Sequence, residues 1–300
     1  MSRFRFGSPV LRYAVIIILT QTFIFQILKD GLNYASPFVL MGIRTLIASF
    51  LLFGVARRFR PIVNRDTILL SLFTFTATSF WAYGLEFVSP ADSAVLTYTM
   101  PLFSIPLSCV ILSEKATIGE WGGAVIGFVG VLVYSSALAN QSLTMFGGIL
   151  TLLNAFFSAT FIVYFRKLKN QDPTITVATQ LLFVAVFLLV LAPLDYKLTV
   201  TPNFLFDVAY LSVLGGAGFM VLWNAIVRLR KIGKTTTLVY LIPVTATLVQ
   251  TVQTSVIPGI VPLIGLALMI FGLYLSNGTL PLRVNTKRLR AEISRSPSTA

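Results

Sequence analysis

The chain contains no histidine and a single cysteine, Cys109, among 300 residues. The first absence removes the commonest metal ligand and the usual proton relay near neutral pH; the second excludes an intramolecular disulfide. No metal site and no cofactor are expected. Charge is scarce too: Asp, Glu, Lys and Arg make up 11% of the sequence, while 56% is hydrophobic and the mean hydropathy is +0.86. One soluble core of this size cannot hide so much apolar surface, so the surplus is expected to face lipid. Acidic residues number 10 against 23 Lys and Arg, giving a formal charge of +13 and a pI near 10.2. In a soluble protein that balance suggests nucleic acid. Here the basic residues fall between hydrophobic runs, and no nucleic-acid partner is expected.

Ten apolar stretches cover 9–29, 37–56, 66–88, 90–113, 119–138, 144–165, 173–193, 203–227, 233–256 and 259–280, each close to the roughly 20 residues a helix needs to cross hydrocarbon. Every backbone polar group there needs an internal partner, so the spans are expected to be α-helices; barrel strands would be about half as long. Ser8-Pro9, Ser36-Pro37, Ser89-Pro90, Asp172-Pro173 and Thr201-Pro202 each put a capping side chain before a proline at the first helical position. A signal peptide is the alternative for the first span. No small-residue cleavage pattern precedes Lys29 and Asp30, so it reads as a retained helix.

With both termini in the cytoplasm of a multi-pass cell-membrane protein, all of the 23 Lys and Arg except Lys29, Arg44 and Lys197 fall on the inner side. Reversing the orientation inverts that bias, against the positive-inside rule. The opposite loops then hold Asp30, Glu86, Asp92 and Asp195.

Residues 68 to 134 recur without a gap 142 positions later: Trp81 falls on Trp223, Tyr98 on Tyr240, Pro101 on Pro243, Gly123 on Gly265 and Gly130 on Gly272. The charges are exchanged instead of repeated, Glu86 and Asp92 standing opposite Arg228 and Lys234. Five helices per copy is an odd number, so a tandem duplication turns the second copy upside down, and each copy needs the opposite loop charge. The expected architecture is all-α: ten transmembrane helices in two inverted five-helix repeats, 1–140 and 141–282, followed by a basic cytoplasmic tail, 283–300, lying on the anionic leaflet.

The run Ser89-Pro-Ala-Asp-Ser-Ala-Val-Leu-Thr-Tyr-Thr-Met-Pro101-Leu, then Ser113-Glu114, then Gly119-Glu-Trp121-Gly-Gly123 and Gly127-Phe-Val-Gly130-Val resembles the EamA-type repeat of the drug/metabolite transporter superfamily. Arg44 resembles the arginine common near the start of that family's second helix. The second copy departs at Val256, where Glu114 would recur. The resemblance implies ten helices around a central cavity and transport of small metabolites.

Polar residues gather on one face of the ninth span, at Thr236, Tyr240, Pro243, Thr247, Gln250 and Thr254, and of the fourth, at Ser93, Thr97, Pro101, Ser104 and Ser108 with Tyr98 at the edge. Such stripes face protein or water, since lipid rewards no hydroxyl or amide. Pro101 and Pro243 each remove a backbone donor, which either frees carbonyls for a substrate or only bends two central helices. Trp81 and Tyr83, Trp223 and Asn224 are candidates to line the cavity, with interfacial anchoring as the alternative. Gln21 and Asn154 add amides suited to a substrate or to interhelical bonds. Arg44 lies roughly 10 Å inside its span, either at the pathway or bonded to carbonyls between helices. Glu86, Asp92 and Glu114 are candidates for proton coupling, Glu114 alternatively capping the turn into the fifth helix. Gly119, Gly123 and Gly127 form a small-residue row for internal packing or for a homodimer contact.

Two classes of function remain. A membrane-embedded enzyme acting on lipid or peptide needs acids, nucleophiles or metals that the spans do not offer, so no catalytic residue is assigned. A secondary carrier needs a cavity and two states. A sugar-phosphate or nucleotide-sugar carrier of the same superfamily calls for several cations at the site, whereas only Arg44 lies within a span. Export of a small neutral or zwitterionic metabolite such as an amino acid, across the lipid bilayer, fits better.

Overall fold

The computed structural model describes residues 9–277 apart from Ser89, 137–143, Lys169 and 256–257; the basic tail, Ser8 and the side chain of Gln250 lie outside the described residues. The helices are α1 (Pro9–Gln21), α2 (Ile24–Leu32), α3 (Pro37–Ala56), α4 (Arg65–Phe87), α5 (Pro90–Thr97), α6 (Met100–Leu112), α7 (Ile118–Ser136), α8 (Met145–Lys167), α9 (Pro173–Leu191), α10 (Pro202–Ser212), α11 (Phe219–Leu229), α12 (Ile232–Thr236), α13 (Leu241–Thr254) and α14 (Ile260–Asn277). A π-helical turn, Val213–Gly218, joins α10 to α11, and a 3-10 turn, Thr237–Tyr240, joins α12 to α13. Six helical stretches are long and apolar enough to cross a membrane: Arg12–Leu32, Pro37–Ala56, Arg65–Phe87, Met145–Lys167, Pro173–Asp195 and Pro202–Leu229. Shorter apolar helices run over Met100–Leu112, Ile118–Tyr134 and Ile260–Ser276.

Four stretches read from the sequence as single regular helices change geometry part-way: at a turn after Gln21, at a turn after Thr97, at the π-helical Val213–Gly218 and at the 3-10 turn Thr237–Tyr240. Pro101 and Pro243 stand in the first turns of α6 and α13, where a missing N–H costs little because those donors are unpaired in any helix. The prolines therefore restart helices after a break; neither kinks a continuous one. At the first interruption Thr22 Oγ1 bonds back to the Ile18 carbonyl (2.9 Å) and meets Thr245 Oγ1 at 3.0 Å.

Asp172 and Thr201 act as the sequence suggests, Asp172 accepting from the N–H groups of Thr174 and Ile175 and Thr201 from that of Phe204. Ser36 makes no capping bond, and its buried hydroxyl has no partner. The α7 start carries a cap not anticipated above: Thr117 accepts from the Glu120 N–H (3.2 Å) while Glu120 accepts from the Thr117 N–H (2.8 Å), a reciprocal capping box.

Polarity is turned inside out. Ser49, Ser71, Ser104, Thr151, Thr176, Thr236 and Thr237 are buried, whereas Val110 is 81% exposed, Val190 70% and Ile260 71%. Buried hydroxyls mostly bond to the carbonyl three or four residues back, as Ser71 does to Thr67 and Thr236 to Ile232. That satisfies them without water, and the apolar exterior suits hydrocarbon.

The helices pack α7 on α14, α3 on α9, α4 on α8, α6 on α8 and α12, and α1 and α2 on α11 and α10. α7 and α14 approach most closely where glycines oppose backbone. A β-carbon at Gly130 would lie 2.7 Å from the Gly265 carbonyl, and one at Gly123 would overlap the Gly272 carbonyl.

Candidate functional site

A cavity of about 170 Å³ lies where the four interruptions meet. Gln21, Ile24 and Phe25 flank the first break; Thr97, Tyr98 and Met100 the second; Gly215 and Phe219 the π-helical turn; Leu238, Val239 and Ile242 the 3-10 turn. Uninterrupted α3, α4 and α8 complete the wall with Arg44, with Thr74, Thr78 and Trp81, and with Asn154, Ser158 and Phe161. A broken helix exposes backbone and sets side chains at angles a continuous one cannot, and broken helices at a cavity are tolerated inside a bilayer.

Aromatic rings form much of this wall. Phe25 meets Trp81 edge-on at 5.5 Å and Tyr98 at 6.0 Å, and Phe219 stacks on Trp223 at 5.7 Å. Polar groups are spaced between them. Asn154 Nδ2 donates to Thr97 Oγ1 (3.1 Å) and its Oδ1 accepts from Ser158 (3.2 Å), while Gln180 Nε2 donates to Thr74 Oγ1. Gln21 Nε2 and Trp81 Nε1 are buried without a protein partner.

Arg44 is buried, 7% exposed. Its Nε donates to the Leu211 carbonyl (3.0 Å), Nη2 to that of Gly215 (2.9 Å) and Nη1 to Met41 Sδ (3.5 Å), and its guanidinium sits 5.6 Å from the Trp81 ring centroid. Both carbonyls belong to the junction of α10 with the π-helical turn, where the hydrogen-bond ladder changes from one spacing to another. Arg44 therefore fastens α3 to the π-helical turn and also faces the cavity.

The residues singled out from the sequence divide into two groups. Gln21, Arg44, Trp81, Thr97, Tyr98, Asn154 and Trp223 line the cavity. Tyr83, Glu86, Pro101, Glu114, Asn224, Tyr240, Pro243 and Thr247 are not among its lining residues. Tyr83 packs edge-on against Phe38 at 4.9 Å. Tyr240 is fully buried and donates to the Ala124 carbonyl (2.7 Å), its ring filling the space above Gly127. Thr247 meets the Tyr134 hydroxyl at 2.5 Å. Pro101 and Pro243 are buried in protein, and Ser104 donates to Thr236 (3.0 Å), so the two hydroxyl stripes meet each other. Both amide atoms of Asn224 are buried without a partner.

Charged side chains hold the two ends of the bundle. At one, Glu114 pairs with Arg166 (2.8 Å) and accepts from the Ile232 N–H (3.1 Å); Lys231 donates to the Lys115 carbonyl, and Arg228 to the carbonyls of Gln171 and Leu168. Glu114 thus joins the loop after α6 to the end of α8 and the start of α12, and the cap on α7 belongs to Glu120. At the other end, Lys29 donates to the carbonyls of Leu85, Glu86 and Val88 at the close of α4. Lys197 reaches the Leu32 carbonyl, and Ala35 bridges to Leu198. Asp207 was missed from the sequence although it is a carboxylate within an apolar run; it is buried beside Gly31, with Oδ2 unpartnered.

The EamA-like transporter family model matches the chain twice, over residues 10–136 and 145–278. An uncharacterized transporter of Acidianus ambivalens is 43% identical over 79% of this chain and 92% of its own length. A probable amino-acid metabolite efflux pump of Salmonella typhimurium is 29% identical over 53% of this chain and 54% of its own. An S-adenosylmethionine uptake transporter of Rickettsia bellii is 26% identical over 60% of each. One solved crystal structure, 20% identical, superposes on 90% of this chain and 98% of its own with a TM-score of 0.76, a likeness of fold. An apolar exterior, a cavity at broken helices and a matched pair of family segments lead to one assignment: the chain is an integral membrane protein that belongs to the EamA-like transporter family.

Proposed function

We propose that the chain is a secondary carrier that exports small metabolites such as amino acids across the cytoplasmic membrane by alternating access. Ten membrane-crossing segments, α1–α2, α3, α4, α5–α6, α7, α8, α9, α10–α11, α12–α13 and α14, form two inverted five-segment repeats in this reading, 1–140 and 141–282. Both termini are cytoplasmic. The observation that carries it is the cavity at four broken helices, since a carrier must hold its solute near mid-bilayer and reach it from both sides.

Support for the inverted repeat comes from contacts that map onto one another at an offset of 142. Gly123 opposes Gly272, and the same shift turns that pair into Gly265 opposite Gly130, which is also observed. Ser113 and Ser255, equivalent at that offset, close α6 and α13 in the same left-handed conformation, each with φ 54°. The pairing of α4 with α8 has its counterpart in that of α10 and α11 with α1 and α2. Support for the orientation comes from the loops joined by Glu114, Arg166, Arg228 and Lys231, all assigned to the inner side by the positive-inside rule.

Support for a carrier over an embedded enzyme comes from the wall of the cavity, which among the described residues offers aromatics, hydroxyls, amides and one arginine but no cysteine or carboxylate. In this conformation its volume suits a solute a little larger than benzene, the occupant of a cavity of about 150 Å³. An amino acid is of that size and S-adenosylmethionine is well above it. Purified protein in proteoliposomes, offered labelled amino acids with and without a pH gradient, tests the proposal: protein-dependent flux supports a carrier, and accumulation only with the gradient supports proton coupling. No flux for any solute in a broad metabolite panel refutes it.

A further inference from the structure

We propose that the solute is recognised through a carboxylate, held between Arg44 and Gln21, with its apolar body against the aromatic wall; this rests on the carrier reading above. In the cavity wall, Asn154, Thr97 and Thr74 accept from protein donors. Two wall donors, Gln21 Nε2 and Trp81 Nε1, are buried without a protein partner.

Arg44 has more N–H groups than partners. Two backbone carbonyls and a thioether take three of its five donors, and the thioether is a weak acceptor. Each terminal nitrogen keeps one N–H beyond those bonds. Carbonyl dipoles do not neutralise the guanidinium, and no Asp or Glu occurs among the described residues that line the cavity. A buried cation without a counter-anion is costly, and the missing group is one that a carboxylate supplies: two oxygens matching the planar fork of the guanidinium. An ammonium gains little here. It meets the like charge of Arg44 and would depend on the ring faces alone.

The amino group of an amino acid is therefore dispensable and its carboxylate is not. Valine, 3-methylbutanoate and 2-methylpropylamine share one apolar body, carrying both charges, the acid alone and the amine alone. The purified full chain in detergent is titrated with each by calorimetry and by thermal shift. The expected result is that the acid binds at least as tightly as valine and at least about tenfold more tightly than the amine. Arg44→Gln is expected to level the three, Arg44→Lys to keep the order with weaker acids, and Gln21→Leu to weaken both carboxylate ligands several-fold. Arg44 also fastens the π-helical turn, so if Arg44→Gln does not fold, the wild-type series and Gln21→Leu decide. A merely structural arginine would change stability without changing the preference for acid over amine. Equal binding of acid and amine by wild type overturns the inference, as does binding by none of the three. Flux in proteoliposomes that amines inhibit as strongly as acids also discards the carboxylate while leaving the carrier standing. Absence of any flux strikes the carrier reading itself.

Discussion

Gly122 and Gly123 are neighbours on α7, yet a methyl group added to each is expected to act in opposite directions. At Gly123 the new carbon would lie 2.6 Å from the β-carbon of Ser276 and would overlap the Gly272 carbonyl. Unstrained carbon contacts are about 3.5–4.0 Å, so α7 and α14 would have to part by about 1 Å. Overpacking of this kind costs about 1–3 kcal/mol, against which alanine regains about 0.8–1 kcal/mol of helix propensity. Gly123→Ala should therefore lose up to about 2 kcal/mol. At Gly122 no atom lies within 4 Å, so the substitution should gain up to about 1 kcal/mol. Gly265→Ala, whose β-carbon would fall 2.7 Å from the Tyr134 α-carbon, should behave like Gly123→Ala. Denaturant titration of the purified proteins in one mild detergent measures all three. If Gly123→Ala proves as stable as Gly122→Ala, the close approach of α7 and α14 is not what holds them together, and the reciprocal glycine contacts lose their force as support for a two-fold relation.

Tyr98→Ala is expected to weaken solute binding at least several-fold, because its ring is part of the cavity wall, whereas Tyr240→Phe should leave binding intact and cost about 1 kcal/mol by removing the donor to the Ala124 carbonyl; paired binding and denaturation curves separate the two effects. Glu114→Gln and Arg166→Gln, alone and combined, should reveal a coupling of about 1 kcal/mol, since both side chains are largely buried and share a 2.8 Å contact. A coupling indistinguishable from zero would show that the ion pair does not hold these loops. Thr117→Ala removes one half of the α7 capping box and should lower stability by about 1 kcal/mol, with Thr117→Ser restoring most of it.

Run length was legible because hydrocarbon thickness fixes it, and so were the caps at Asp172 and Thr201, which need only one side chain and its own helix. The interruptions were not. Gln21-Thr22-Phe23 contains neither proline nor glycine, and the contact made there, Thr22 with Thr245, comes from the far half of the chain. Helices apolar on every side also hide which face turns inward. Trp81 and Tyr83 are two residues and so about 200° apart on α4, which means that only one of them can face a cavity on a given side. Both are candidates in the sequence, and only Trp81 has an aromatic match, Trp223, in the second copy. The T-x-x-E pattern at Thr117 and the carboxylate of Asp207 were readable by rule and were passed over in favour of Glu114 and Glu86.

Tyr98 and Tyr240 occupy the same place in the two sequence copies and have different surroundings. Tyr240 lies flat over Gly127, where any β-carbon would overlap its ring. At the matching position the second copy has Met269, fully buried in the same apolar cluster as Tyr98. The Tyr98 ring instead forms part of the cavity wall. Arg44 diverges likewise: it fastens α3 to the glycine-rich π-helical turn, at a level where α4, the first-copy counterpart of that segment, runs as regular α-helix. A duplicated sequence can supply a symmetric frame, but a solute with distinct ends needs an asymmetric site. Gly215 and Gly216 stand where the first copy has Phe73 and Thr74, and they lie against Arg44, so that part of the cavity wall departs from the repeat.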